Sequence, residues 1–209
     1  MTDKDNIMTL DTMLTDYVAG RLSPAKHGLM AEFQRANTIA ANDVAIQEAV
    51  AGQLLEDAEG EALRADFFDD LVQVIAELPQ MDVDDEPRSS ISESLKDIKW
   101  RSRLPGISTH DVIGKPNGEG DRLFFLKVKP GFTIWDHSHS GDEWVLVLKG
   151  SYVSGGKLYD VGALHIENEG TQHALTASND QDCVCLVMTQ GPVKMHSRLG
   201  KILSPIVGL

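Results

Sequence analysis

Two histidines and a glutamate stand at metal-ligand spacing in the run PGFTIWDHSHSGDEWVLVLKG. His137 and His139 are two residues apart, and on an extended segment such neighbours point to the same face. Glu143 begins the next apolar segment, so a short turn over residues 140–142 would return its carboxylate to the two imidazoles. Imidazole and carboxylate together suit zinc, and equally iron, manganese or nickel.

A fourth ligand is offered by a second run, GALHIENEGTQHALTA, which passes two glycines and reaches His173. If the surrounding strands close into a barrel, His173 faces the first three side chains. A complete set of three imidazoles and one carboxylate is typical of a bound divalent ion. The sequence therefore predicts one metal ion, with zinc expected first, held by His137, His139, Glu143 and His173.

Four further residues lie near these ligands in the sequence. Cys183 and Cys185 are two apart on a predicted strand, where a disulfide between them would be strained. They are either small buried apolar groups or an oxidisable thiol pair that faces the metal cavity, and both interpretations stay open. Trp135 precedes the ligands and His165 lies within the second run, so each is a candidate to line or support the site.

The two runs resemble the two motifs of the cupins. The first run matches at every defining position, whereas the second has Asn168 where proline is usual and Ala177 where asparagine is usual. Those two positions shape a turn and a pocket wall. The resemblance implies a metal cupin, and the departures bear on its substrate more than on its metal.

Short apolar runs after residue 97 predict the strands that must position these ligands. Valine, leucine, isoleucine and aromatic residues recur in segments broken by Gly, Asn or Asp, which is typical of an antiparallel barrel. The segments are LFFLKV, EWVLVLKG, SYVSG, GALHIE, HALTA and DCVCLVMT. They agree with a jelly-roll type of barrel.

The first half of the chain has helical periodicity instead. Apolar residues at helical spacing predict helices over 8–20, from Ser23-Pro24 onward, over 40–57 and over 61–78. Residues 79–92 combine prolines, serines and acids, which is the composition of a linker. We expect an α+β two-domain chain: a helical bundle at 1–78, an acidic linker at 79–92, and a cupin at 93–209 that folds without the helices.

Charge is distributed unevenly between the two halves. Residues 1–90 contain 19 acidic and 6 basic side chains, whereas residues 91–209 contain 13 of each. The total of −13 argues against direct binding to nucleic acid. The chain also shows no secretory signal and no apolar run of about 18–20 residues, so we expect a cytoplasmic protein with no membrane association.

The order of helical bundle, linker and metal cupin resembles the ChrR-like anti-sigma factors. The resemblance includes DYVAG at 16–20, LKDIKW at 95–100 and the tail that begins DCVCLVMTQGPVKM. It implies a regulator whose helical domain sequesters an extracytoplasmic-function sigma factor, while the cupin senses an oxidant or a small molecule. The family usually has a second zinc site in its helical domain. Its ligand positions fall here near four residues that do not bind zinc well: Met8, Phe33, Asn37 and Ala40. We therefore expect no N-terminal zinc.

Two other functions fit the β half alone. One is a metal-dependent cupin enzyme, such as a dioxygenase or isomerase, and the other is a small-molecule binding module. The acidic first half favours the regulator, because a metalloenzyme has no need of such a region. Dimerisation through the cupin is left open.

Overall fold

The computed structural model describes residues 9–58, 60, 95, 97–114, 120–191 and 193–196. Within these ranges the chain forms three helices followed by eleven strands. The helix expected over 61–78, the linker expected over 79–92 and the tail after residue 196 lie outside the described residues. The division into domains therefore stays a prediction.

The three helices begin where the sequence predicts them. They are α1 (Leu10–Val18), α2 (Pro24–Ala36) and α3 (Thr38–Glu56). Ser23 caps α2 with its side chain and Pro24 follows at the first helical position, where its missing N–H costs nothing. The Asn37 side chain accepts from the backbone N–H groups of Ile39 and Ala40 and thereby separates α2 from α3.

The strands form two antiparallel sheets. In chain order they are β1 (Arg101–Leu104), β2 (Ile107–Ile113), β3 (Asp121–Val128), β4 (Thr133–His139), β5 (Glu143–Lys149), β6 (Tyr152–Ser154), β7 (Lys157–Tyr159), β8 (Leu164–Glu167), β9 (His173–Ala177), β10 (Cys183–Gln190) and β11 (Val193–Met195). One sheet has the order β1-β2-β3-β10-β5-β8 and the other β11-β4-β9-β6-β7. The non-consecutive neighbours are those of a jelly-roll sandwich, as the sequence predicted.

Apolar side chains from both sheets fill the space between them. Val145 and Val147 of β5 point into this space, as do Cys185 and Val187 of β10, because alternate residues of a strand share a face. Strand β10 lies between β3 and β5 and is buried on both faces. Its unbroken apolar run CVCLVM follows from that position.

The helices cover the outer face of the six-stranded sheet. The outward-facing residues of β5 and β10 form one apolar cluster with side chains from all three helices. Gly28 of α2 lets the helix approach closely, since a Cβ there would lie 3.1 Å from Cδ2 of Leu123. The cluster comprises Met13, Leu14, Ala25, Leu29, Met30, Phe33, Ala40, Val44, Leu123, Trp144, Leu146, Leu186 and Met188.

Polar contacts at one end of the sheet fix the position of α2. Lys26 Nζ donates to Asp142 Oδ2 at 3.0 Å and lies 4.9 Å from the ring centroid of Trp144. Ser23 donates its hydroxyl to Asp121, which also accepts from Gln190 Nε2 at 3.0 Å. The start of α2 is thus tied to the starts of β3 and β5 and to the end of β10.

The shared core gives a physical reason against independent folding of the β half. Without the helices, apolar side chains on the outer face of β5 and β10 would meet water. Burial of such groups stabilises by about 25 cal/mol per Å² of apolar area. We therefore expect the helices and the sandwich to unfold together.

Truncation of Leu29, which is fully buried between helix and sheet, tests this coupling. Leu29→Ala should lower the free energy of unfolding by about 2–5 kcal/mol, because it leaves a cavity in the shared cluster. Urea unfolding followed by far-UV circular dichroism and by tryptophan fluorescence should give one coincident transition.

Leu55→Ala is the matched control, since Leu55 is 76% exposed on α3. Its free energy of unfolding should change by less than about 0.5 kcal/mol. Separate transitions for the two probes would contradict the shared core.

Candidate metal centre

The end of β4 and the start of β5 bring three side chains to one point inside the sandwich. His137 and His139 are buried and alternate along β4 with Ser138, as their spacing predicted. Glu143 is the first residue of β5 and is buried as well. The fourth side chain arrives across the sheet, because β4 pairs with β9 in a register that sets His137 opposite His173.

Each of the four side chains directs one donor atom to the same point: Nε2 of each histidine and Oε2 of Glu143. His173 Nε2 lies 2.9 Å from His137 Nε2 and 3.4 Å from His139 Nε2. Glu143 Oε2 lies 3.2 Å from His139 Nε2 and 3.2 Å from His173 Nε2. Three imidazole nitrogens and one carboxylate oxygen thus face a common centre, and the group could hold a metal ion.

These separations fit a small divalent ion. Ligands about 2.0–2.1 Å from a tetrahedral zinc ion lie roughly 3.3 Å from one another. The observed 2.9 to 3.4 Å spans that value. Iron, manganese and nickel accept the same donor set, so the geometry alone does not select the ion.

The hydrogen bond of His137 fixes which of its nitrogens faces the centre. Its Nδ1 donates to the backbone carbonyl of Trp135 at 2.8 Å, which leaves the Nε2 lone pair directed inward. Burial lowers the pKa of His137 to about 4, so the ring is neutral near pH 7. A neutral imidazole with an inward lone pair is the form that binds metal.

Opposite charges dominate the other side of the centre. Burial opposes ionisation of Glu143, but hydrogen bonds from His139 and His173 outweigh it and lower the pKa of Glu143 well below its usual range. Burial likewise opposes protonation of His173, yet the hydrogen bond and charge of Glu143, and then those of Glu167, raise the pKa of His173 to about 8. Without an ion, a proton on His173 balances the Glu143 carboxylate.

A second polar group lies behind His173. Glu167 Oε1 is 2.8 Å from His165 Nε2 and 3.1 Å from His173 Nδ1, and His165 Nδ1 is 2.8 Å from Tyr152 Oη. The Glu167–His173 pair is close but not aligned as a hydrogen bond, and within the described residues His173 Nδ1 has no other partner. His165 was a candidate from the sequence, whereas Glu167 and Tyr152 were not.

The remaining candidates occupy different positions. Trp135 contributes its backbone carbonyl to His137, while its side chain is half-buried. Cys183 and Cys185 are buried in the sandwich core, with Sγ atoms 3.7 Å apart. The hydrogen bond from Cys185 lowers the pKa of Cys183, and the same bond together with burial raises the pKa of Cys185 well above its usual value.

The positions where the resembled family has its N-terminal zinc ligands serve the helical packing here. Phe33 and Ala40 are buried in the helix–sheet cluster. Asn37 caps α3. Met8 lies outside the described residues.

A narrow cavity of about 20 Å³ adjoins the cluster. His137, Glu143 and His173 form its polar part. The remaining lining is aliphatic and aromatic: Phe124, Leu126, Ile134, Val145, Leu175, Val187 and Val193. A water molecule needs about 10–15 Å³ of such volume, so the cavity accepts a guest of one or two heavy atoms.

Two motif glycines frame the ligand strands for steric reasons. Gly131 before β4 has φ +68°, and a Cβ there would lie 2.5 Å from Asn179 Oδ1. Gly150 after β5 has φ +67°, and its Cβ would lie 2.6 Å from the carbonyl oxygen of Asp182. At Gly150 the close atom is backbone, so only glycine combines that conformation with such approach; at Gly131 the positive φ is the constraint, because the Asn179 side chain can move.

The chain matches known proteins along most of its length. Residues 89–194 match the family described as the ChrR cupin-like domain. The anti-sigma-E factor ChrR of Cereibacter sphaeroides is 27% identical over 207 residues, which is 93% of this chain and 94% of that protein.

No helix in the described part of the chain is both long and apolar enough to cross a bilayer.

A solved structure agrees with both halves of the fold. The crystal structure of Rhodobacter sphaeroides SigE in complex with the anti-sigma ChrR has a chain that is 26% identical, with a TM-score of 0.69. The match covers 87% of this chain and 97% of that one.

Thiol modification tests the placement of the two cysteines. In the native protein both thiols should react with iodoacetamide at least about 100-fold more slowly than in urea, because reaction needs local opening of β10. Mass spectrometry after partial reaction should give the rate for each cysteine separately. Equal fast reaction of both thiols in the native protein would contradict their burial.

Proposed function

The chain belongs to the ChrR cupin-like domain family, and on that premise we propose that it is an anti-sigma factor. In this proposal the helices sequester an extracytoplasmic-function sigma factor in the cytoplasm, and the cupin holds one divalent ion and responds to an oxidant or small molecule. The observation with most weight is the match of helices and cupin together to a chain of the SigE–ChrR complex.

Convergence of the four donor atoms supports the metal site. His137, His139, Glu143 and His173 would hold the ion, which would supply positive charge to the carboxylate and a Lewis acid to the cavity. We propose zinc, because a site that only signals needs no redox chemistry. Iron in the native protein would favour the oxygenase alternative.

Elemental analysis of the purified protein tests this site. We expect about one equivalent of metal per chain, and below about a tenth in the double variant His137→Ala with His139→Ala, because two of four ligands are lost. His110→Ala is a matched control, since His110 lies outside the ligand cluster. Two equivalents in the parent protein would contradict a single cupin site.

The size of the cavity supports a sensor over an enzyme acting on an organic substrate. Substrate pockets commonly enclose about 300–1,000 Å³. The cavity beside the ligands has about 20 Å³ and an apolar lining. Such a space admits water or a small oxidant but no sugar or aromatic ring.

Strand β5 offers a direct connection from the metal centre to the helices. Glu143 faces the ligands, while its neighbours Asp142 and Trp144 both contact Lys26 of α2. A change in the coordination of Glu143 would therefore shift the start of β5 under α2. We propose that the state of the cupin reaches the helices by this route.

The exposed face of α3 is the surface that we propose for the sigma factor. Four apolar residues spaced for one helical face are 55% to 74% exposed: Ile39, Ile46, Val50 and Leu54. An apolar stripe of this kind on a surface helix commonly marks an interaction site. Along the same helix lie Asp43, Glu48 and Glu56, with no basic residue.

An apolar stripe beside acidic residues is complementary to a partner that has an apolar patch within a basic surface. Proteins that contact DNA have basic surfaces, and a sigma factor is one of them. The acidic charge would speed the encounter, and the apolar stripe would hold the complex. The complex should therefore form more slowly at high salt, with a smaller change in its dissociation rate.

The variant Ile46→Lys tests both the function and the surface. Co-purification with an extracytoplasmic-function sigma factor from the same host should succeed for the parent protein. Ile46→Lys should weaken binding at least about tenfold, because it puts a like charge into the contact. Leu158→Lys on β7 is the matched control, since Leu158 is 58% exposed and lies on the five-stranded sheet, whereas the helices pack on the other sheet.

The two possible failures differ. Binding by the parent protein with no effect of Ile46→Lys would contradict the α3 surface alone. No complex at low or high salt, with the helices folded, would contradict the anti-sigma function.

A further inference from the structure

Glu167 is the last residue of β8, and its carboxylate lies between the rings of His165 and His173. His165 and Glu167 are two residues apart and share a face of the strand. Register places Glu167 opposite Glu143, the carboxylate of the proposed metal site. Glu167 Oε1 lies on the Nδ1 side of the His173 ring, whose Nε2 faces the other donor atoms.

We propose that Glu167 is a positioning residue for the metal: it holds the ring of His173 in the orientation and tautomer that present Nε2 to the ion. This inference rests on the proposed metal site and adds to it a residue outside the ligand set. A histidine ligand commonly donates its second N–H to a carboxylate, which fixes the ring and strengthens its bond to the metal.

The contacts of His165 with Glu167 and Tyr152 indicate which atoms donate and which accept. A neutral His165 ring has a single N–H, which can be on either ring nitrogen. If that N–H is on Nε2, it donates to Glu167, and Nδ1 accepts from the Tyr152 hydroxyl. Glu167 Oε1 then lies 3.1 Å from His173 Nδ1, within reach to accept its N–H once the ring is aligned by a bound ion.

Charge supports the same assignment. A divalent ion with three neutral imidazoles and the Glu143 carboxylate has a net charge of one positive unit in an apolar cavity. A buried charge of that kind is costly unless a partner lies close. The Glu167 carboxylate is the neighbouring group that neutralises it.

Aromatic contacts hold the supporting residues in place. The His165 ring stacks on Tyr159 with centroids 4.1 Å apart. Tyr152 is fully buried and stacks on Tyr159 from another side, with centroids 5.1 Å apart. Glu167 is thus backed by a rigid group and can restrict the His173 ring.

A second ion is the competing account of these residues. His165, Glu167 and His173 also lie close enough to hold one. That ion would need His173 to bind metal through both ring nitrogens, with its last N–H proton lost. The hydrogen-bonded account needs no such deprotonation.

Zinc titration of the full-length, metal-free protein against a chromophoric chelator tests the proposal. Glu167→Gln should lower zinc affinity about 10–100-fold, because an amide cannot accept as a carboxylate does and leaves the charge unbalanced. The matched control is Glu169→Gln on the same segment, where the side chain is exposed, and it should bind as the parent does. Unfolding of each metal-free variant separates a loss of affinity from a loss of fold.

A double-mutant cycle distinguishes positioning from a general structural effect. Glu167→Gln should weaken zinc binding in the parent, but should have little further effect once His173 is alanine. The d–d spectrum of the cobalt form should also change in Glu167→Gln, because it reports the field at the ion.

Each other result would overturn the proposal. Equal zinc affinities for Glu167→Gln and the parent, or equal losses with and without His173, would remove the positioning role. Two equivalents in the parent, one of them lost in Glu167→Gln, would assign Glu167 to a second ion. No zinc in the parent would refute the metal site as well, a result distinct from the others.

Discussion

The alternation of side chains along β5 is the constraint on which the structure depends. Glu143 points between the sheets to the histidines, and Trp144, next in the chain, points outward beneath α2. A strand has a side-chain period of two, so a shift of one residue would exchange the two faces. The convergence of the four donor side chains and the docking of the helices are therefore fixed by one register, and neither can change without the other.

The surroundings of the centre make its polar atoms depend on one another. In an apolar interior an unpaired charge is costly, and paired groups interact more strongly than in water. Glu143 is balanced by histidine protons or by an ion, and the buried Nδ1 of His139 has no hydrogen-bond partner among the described residues. Such a site has few stable states, which is a useful property in a switch.

The convergence of the four side chains could be predicted from the sequence because it depends on local rules. His137 and His139 share a face by strand period, and Glu143 follows across a short turn. The start of α2 at Ser23 followed from capping, whereas the Asn37 cap places the start of α3 two residues before the predicted residue 40. The dependence of His173 on a closed sheet was also foreseen, and the pairing of β4 with β9 confirms it.

Long-range contacts could not be predicted in the same way. Glu167 and His173 are only six positions apart, but their contact depends on β8 and β9 lying in different sheets that face each other. Lys26 and Asp142 are 116 positions apart. Amphipathic spacing in α2 indicated that one face would be buried, but not that the outer face of the cupin would bury it.

The shared helix–sheet core has a consequence for synthesis on the ribosome. The helices leave the exit tunnel first, but the strands that cover their apolar face extend to Gln190. At about 5–20 residues per second, that face stays uncovered for on the order of ten seconds. During this interval the nascent helices offer one apolar surface to the future cupin and another on α3, so a chaperone or a waiting partner can engage the chain before the cupin has folded.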